Sequence, residues 1–293
     1  MIGQSTIGFD VGVPPPGSIG AEIDHFDLKT VTAAQATAIK GEVYRHKLVI
    51  FRGQQLTRHQ YVRLARMLGT PQIYLQKNYH HPDHPEIFVS SNVPENGVKV
   101  GVAGTGRYWH SDYQFHPEPL PMTMLYPQVL PAGNRFTQFI DMQRVYEEFP
   151  AELLPYVEGK TATHEAKWRY KVTADDIDRS ILEIVTAIER LSPPVTHPAV
   201  IVHPVTGRKM LYLTSGFTVG LEGLTHEQNN GIVAKIVAFS EADSRVHVHT
   251  WRDGDILLWD NRTLIHKASE TPKGEFSSSY RIGVYDGLPF YSN

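Results

Sequence analysis

The chain contains no cysteine, which excludes disulfides, thiolate metal sites and cysteine nucleophiles together. Any metal must be held by histidine and carboxylate. Long apolar runs are missing too: no stretch approaches the roughly 20 residues that a membrane-spanning helix requires. The opening MIGQSTIGFDVG lacks the basic-then-apolar order of a secretory signal. A cytoplasmic protein with no membrane partner is expected. Charge of one sign is not in excess, since 28 Lys and Arg stand against 31 Asp and Glu for a formal net charge of −3. The basic residues are spread along the chain, so the footprint of a nucleic-acid partner is absent. No Gly-rich strand-to-helix turn occurs, which disfavours a doubly wound nucleotide-binding fold. Repeats and low-complexity tracts are absent, and the 20 prolines form a run only at 14–16. One domain over residues 1–293, without a linker, is the expectation.

What is present fits an ordinary globular protein. Hydrophobic residues make up 41% and charged residues 20%, close to soluble averages. A chain of 293 residues is long enough for a large β-rich domain with inserted helices. Three segments read as helices. Thr57 with Gln60 has the spacing of a capping box and precedes Tyr61, Leu64, Ala65 and Leu68 at helical intervals. Thr225 with Gln228 repeats that signal before Ile232, Ile236 and Phe239. Between them, Ile177, Ile181, Ile184, Val185 and Ile188 form an apolar stripe suited to a helix packed on a sheet. Strands are expected at KLVIF (47–51), EIFVSS (86–91), MTMLYP (122–127), RFTQFID (135–141), KMLYLT (209–214), DILLWD (255–260) and YRIGVYD (280–286), punctuated by Gly, Pro, Asn and Asp. Many short strands with few helices predict a mainly β fold with peripheral helices, a sandwich or jelly roll.

The chemistry concentrates in two stretches. In RYWHSDYQF, His110 and Asp112 stand two apart, and an extended backbone turns both side chains to one face. DGDILLWDNRTLIHKA adds His266 just after an apolar strand. Two histidines and one carboxylate form the facial triad of non-haem iron(II) oxygenases, which leaves three coordination positions open. A pair of residues as common as His-x-Asp carries little weight alone among 15 histidines. Arg281, in the next strand, adds a guanidinium able to pair bidentately with a carboxylate. Thr137 offers a hydroxyl to the same group. His247 and His249 share a strand face but have no carboxylate partner by spacing. His80, His81 and His84 fall in a proline-containing loop where capping or solvation is expected. Trp109 and Trp259 read as packing residues, and Asp260 as a partner for a ligand histidine or simply the end of its strand.

Taken in order, His110, Asp112, His266 and Arg281 resemble the motif of the taurine dioxygenase (TauD/TfdA) family of iron(II)/2-oxoglutarate oxygenases, and WDNRTLIHKA looks like that family's most recognisable stretch. The likeness runs from AEIDHFDL to the last strand. It implies a double-stranded β-helix (jelly roll) core, Fe(II) on the three ligands, and 2-oxoglutarate and dioxygen as co-substrates. The implied reaction couples oxidative decarboxylation of 2-oxoglutarate to succinate with oxidation of a substrate C–H bond.

Within the family, HPEIFVSSNVPENG, WHSDYQF, YPQVLP and NRFTQFIDM resemble the enzymes that form isonitrile groups in bacterial isonitrile lipopeptide biosynthesis. That branch oxidises an N-carboxymethyl-3-aminocarboxylic acid, so the implied partner is a small anionic amino-acid-like molecule. By the same likeness Lys171, Tyr74, Tyr79 and Arg135 are substrate contacts. Four positions depart from the branch: Leu75 replaces a second tyrosine, Phe136 a glycine, Thr173 an arginine and Glu270 a histidine. They remove polar or cationic groups, and they leave hydroxylation or desaturation of another small anion as an alternative chemistry. A catalytically silent jelly-roll binding protein is the alternative of another class. The sequence is silent on oligomeric state, and a homo-oligomer is allowed.

Overall fold

The computed structural model describes residues 3–4, 9–12, 19–24, 26–133, 135–172 and 176–292; the proline run at 14–16 and Thr173 lie outside them. The strands that position the site are β1 (Ala21–Asp24), β2 (Leu48–Phe51), β3 (His84–Ser91), β4 (Met122–Val129), β5 (Phe136–Asp141), β6 (His247–Thr250), β7 (Ile256–Asp260), β8 (Leu264–Ala268) and β9 (Ser278–Tyr285). The main sheet runs β1-β2-β7-β4-β9-β3, and a second sheet runs β6-β5-β8. Both are antiparallel except for the β1–β2 pair. This is the expected mainly β, jelly-roll architecture.

Strand β7 shows why two layers form. It lies between β2 and β4 and is buried along its whole length. Its side chains alternate with the pleat. Ile256 and Leu258 join Ile39 and Val43 of helix α1 (Ala33–His46) and Leu64 and Leu68 of α2 (Arg58–Leu68). Leu257 and Trp259 turn the other way, to Phe139 of β5 and Leu264 of β8. One face of the main sheet is therefore closed by helices and the other by the second sheet. Each such side chain contributes about 1.5–3 kcal/mol on burial.

Thr57 with Gln60 and Thr225 with Gln228 form capping boxes that open α2 and α5 (His226–Ser240), as expected, and the short α3 (Met142–Glu147) follows β5. Helix α1 was not among the expected elements, although Thr32 and Gln35 cap it in the same way. The apolar stripe around residue 184 does become a helix, α4 (Ile181–Leu191), but it begins four residues later than Ile177 because the Ser180–Glu183 capping box fixes its start. Nor does it pack on a sheet. Ile184 and Ile188 are buried while Ile177 and Ile181 are exposed, and the helix lies beside the 3-10 turn at Lys167–Arg169. Residues 80–84 form a hairpin rather than a loop, and the strand expected at 209–214 ends at Leu211. Among the described residues no helix is long and apolar enough to cross a membrane.

Candidate active site

His110 and His266 come together through the backbone. His110 donates its N–H to the His266 carbonyl at 3.1 Å and His266 returns the bond at 2.8 Å, which places two distant segments in antiparallel register. His266 sits within β8 rather than just beyond a strand, opposite Phe139 of β5. After His110 the chain enters a turn, with Tyr113 at φ 58°, and Asp112 lies on the same side as His110. All three side chains are buried, and one donor atom from each lies within 4.8 Å of the others.

The electrostatics suit a metal. Burial pushes the pKa of both histidines down, so both are neutral imidazoles with a free lone pair. For His110 the tautomer follows from its Nδ1, which donates to the Tyr108 carbonyl at 2.8 Å; a carbonyl only accepts, so Nε2 carries the lone pair that could hold a metal. Nδ1 of His266 is buried without a hydrogen-bond partner. Burial alone raises the Asp112 pKa, but the Arg281 guanidinium, the two histidines and the Thr123 hydroxyl pull it down to about 2. Two neutral nitrogens and one anionic oxygen match Fe(II), which would supply dioxygen chemistry on the open positions.

The other expected residues face the same cavity, whose volume is about 150 Å³. Arg281 lies on β9, paired with Leu125 of β4. Its NH1 donates to Asp112 Oδ1, its Nε is buried without a partner, and its guanidinium carbon lies 4.1 Å from the Phe88 ring centre. Thr137 enters from the opposite sheet, and its hydroxyl oxygen accepts from the Trp251 indole at 3.0 Å, leaving the proton free for an incoming oxygen. Arg135, two residues before Thr137 on the same strand run, lines the cavity as well. Its NH1 donates to the carbonyl and hydroxyl of Ser269, and it has no carboxylate partner among the described residues. Tyr74 and Tyr79 pack edge-on at 5.0 Å and both rest on Phe88; burial raises the pKa of both, so they remain phenols.

Some residues do less than the sequence suggests. Lys171 lines the cavity, but its ammonium donates to the carbonyls of Ala103 and Gly104, clipping the 167–172 segment to the 101–107 loop. Of the departures, Leu75 lines the cavity. Glu270 is exposed and, among the described residues, pairs with Arg107 at 3.7 Å. Phe136 is not in the cavity wall. Asp260 is not bound to a ligand histidine; its Oδ2 pairs with His203 at 2.7 Å. His249 is held by Asp255 at 3.2 Å, a partner that spacing did not reveal. Sequence reasoning missed Thr123 and Asn261, which bond toward Asp112, and the ring of Tyr108, Tyr113, Phe115 and Phe217 around the cavity.

A jelly roll carrying two histidines and a carboxylate beside a guanidinium whose Nε has no partner among the described residues defines the class: an Fe(II)- and 2-oxoglutarate-dependent dioxygenase. Residues 12–280 match the model of the taurine catabolism dioxygenase TauD, TfdA family, and the chain belongs to that family. It is 26% identical over 258 residues to the alpha-ketoglutarate-dependent 2,4-dichlorophenoxyacetate dioxygenase of Burkholderia sp. (strain RASC), covering 84% of each chain. It is 28% identical over 270 residues to pentalenolactone F synthase of Streptomyces avermitilis, covering 88% of each. In fold it is similar to a taurine dioxygenase from Burkholderia xenovorans, with a TM-score of 0.75 at 23% identity, over 96% of this chain and 92% of that one.

Proposed function

We propose that this chain works in the cytoplasm as a single domain and oxidises an N-carboxymethyl-3-aminocarboxylic acid, turning its N-linked carbon into an isonitrile. One observation carries the reading: the metal triad shares its cavity with the guanidiniums of Arg281 and Arg135, while the third lining arginine, Arg169, is spent on the Ser215 and Gly216 carbonyls. An enclosed cation without a counter-charge is costly; Arg135 has no carboxylate partner among the described residues, and Arg281 shares Asp112 with the ion that carboxylate would hold, so the cavity suits two incoming carboxylates. We assign the distal carboxylate of 2-oxoglutarate to Arg281 and Thr137, and a substrate carboxylate to Arg135. Tyr74 and Tyr79 give the substrate amine phenolic partners and exclude water. The reaction removes carbon dioxide and four hydrogens from the N–CH2–COOH unit. Balance requires two 2-oxoglutarate and two dioxygen, and it releases two succinates, two waters and two further carbon dioxides.

A second reading is a single hydroxylation or desaturation of another small carboxylate. Leu75 in the cavity wall and the commitment of Lys171 to backbone carbonyls favour it, because both reduce the polar contacts available to a dianionic substrate. The names of the relatives acting on 2,4-dichlorophenoxyacetate and (S)-phenoxypropionate support a carboxylate in either case.

Mass spectrometry of anaerobically iron-loaded protein, given 2-oxoglutarate, oxygen and N-carboxymethyl-3-amino acids of graded chain length, separates the two. A tetrazine-trappable isonitrile that disappears in Asp112→Ala supports the first. Succinate with only a hydroxylated or desaturated product overturns it in favour of the second.

A further inference from the structure

A directed line of hydrogen bonds runs from the protein core to the metal-binding carboxylate. Trp259 Nε1 donates to Asn261 Oδ1 at 2.8 Å, Asn261 Nδ2 donates to Thr123 Oγ1 at 2.8 Å, and Thr123 Oγ1 donates to Asp112 Oδ2 at 2.6 Å. All four side chains are buried. Strand register builds the line, since Thr123 of β4 lies opposite Trp259 of β7, and Ser111 anchors it by donating its hydroxyl to the Asn261 carbonyl at 2.8 Å.

The direction of the line has one solution. An indole N–H donates and never accepts, so the amide oxygen of Asn261 must face Trp259. Its amide nitrogen must then face Thr123. Thr123 accepts from that nitrogen, and its single proton is left for Asp112. Oδ2 therefore receives a charge-assisted bond in a dry environment, where such bonds are strongest. Oδ1 is clear of the line and is the oxygen that Arg281 holds.

We propose that Thr123, Asn261 and Trp259 are positioning residues that make Asp112 a one-oxygen metal ligand, with Oδ2 reserved for the hydrogen bond and Oδ1 for the ion. The inference rests on the reading of His110, Asp112 and His266 as the metal triad. Its consequence is a count of positions. With both carboxylate oxygens on the metal, only two of six octahedral positions would remain for the co-substrates; with one oxygen, three remain, enough for a chelating keto acid and dioxygen.

The test is Mn(II) titration of the metal-free protein, followed by the electron paramagnetic resonance of the free aquo ion, with metal-free melting temperature as the control on folding. Thr123→Val should weaken Mn(II) binding about ten- to a hundredfold, the usual effect of losing a partner of a ligand, and Thr123→Ser should restore it. Trp259→Phe lets the Asn261 amide turn over and should weaken binding as well. Adding it to Thr123→Val should weaken binding no further, since the line is already cut. The proposal is overturned by a Thr123→Val protein that binds Mn(II) like the parent, by serine failing to rescue, or by additive effects in the double variant. Asp112→Ala distinguishes the two levels: if it retains Mn(II) affinity the triad reading fails, and if it alone loses affinity only the positioning role fails.

Discussion

Replacing Arg281 by leucine separates binding of the co-substrate from binding of the metal, because the two should move differently. Leucine keeps an apolar contact to Phe88, whose ring lies under the guanidinium, and removes the charge. If Arg281 holds the distal carboxylate of 2-oxoglutarate through two charge-assisted hydrogen bonds, each worth about 1.5–3 kcal/mol, the loss is about 3–6 kcal/mol. That corresponds to a weakening of roughly two to four orders of magnitude in Kd. For the metal the expectation differs. NH1 of Arg281 donates to Asp112 Oδ1, so a cation on that oxygen must displace it and bear its repulsion. The leucine variant loses that competitor, and its Mn(II) affinity should hold or tighten. Calorimetric titration of 2-oxoglutarate into Mn(II)-loaded protein reads the first quantity, and Mn(II) titration of the metal-free protein reads the second. Unchanged 2-oxoglutarate binding would refute the assignment and shift the anchor to Arg135, which also lines the cavity. Parallel loss of both affinities would mean that Arg281 only supports the fold of the site.

Three further perturbations test the surroundings. His164 is buried with its pKa pushed down to about 3. The unfolded chain, near 6.5, therefore binds the extra proton between those values, and stability should fall as pH drops through that window by up to about 1.4 kcal/mol per unit. Urea unfolding between pH 7 and 5 should show a shallower pH slope for His164→Phe, with the other buried histidines whose pKa is lowered, His110, His197 and His266 among them, supplying the remainder; an unchanged slope refutes the account. A Cβ on Gly283 would lie 2.2 Å from Leu120 Cδ2 in the packed interior, so Gly283→Ala should cost about 1–3 kcal/mol, and a neutral melting temperature would show that Leu120 can move aside. Lys171→Met should speed amide hydrogen exchange at 103–105 by releasing the clip on the loop, whereas unchanged exchange would return Lys171 to the substrate.

The parts of the fold that the sequence revealed are those whose signal is local. Thr57 with Gln60 and the apolar spacing after them are a helix start that needs no tertiary contact. The buried run Ile256–Asp260 reads as a central strand because both its faces are covered. Helix α1 escaped because its buried stripe is Ala36, Ile39 and Val43, all of them small or β-branched, with Gly41 on the same helix; only the Thr32–Gln35 capping box announced it. The α4 stripe misled in the opposite sense. Ile177 and Ile181 are as apolar as Ile184 and Ile188, yet the segment borders a cavity instead of a sheet and leaves the first two exposed. Periodicity reports an amphipathic face without reporting what covers it.

The site divides along the same line. His110, Asp112 and His266 were legible because their chemical types are restrictive and the flanking apolar strand anchors the last of them. What the spacing did not carry is the hydrogen-bond traffic between them. Asp260 and Asn261 are adjacent in sequence and equally buried, but Asp260 closes β7 and Asn261 opens the turn after it, so their side chains diverge. Asp260 therefore meets His203, while Asn261 reaches Thr123 and through it Asp112. Trp259 was legible as a packing residue, and it is one. Its indole N–H also fixes the orientation of an amide two residues on. A role of that kind is set by which atom faces which across two strands. Composition and spacing hold no record of it, because asparagine offers a donor and an acceptor on one side chain and only the neighbouring donor decides between them.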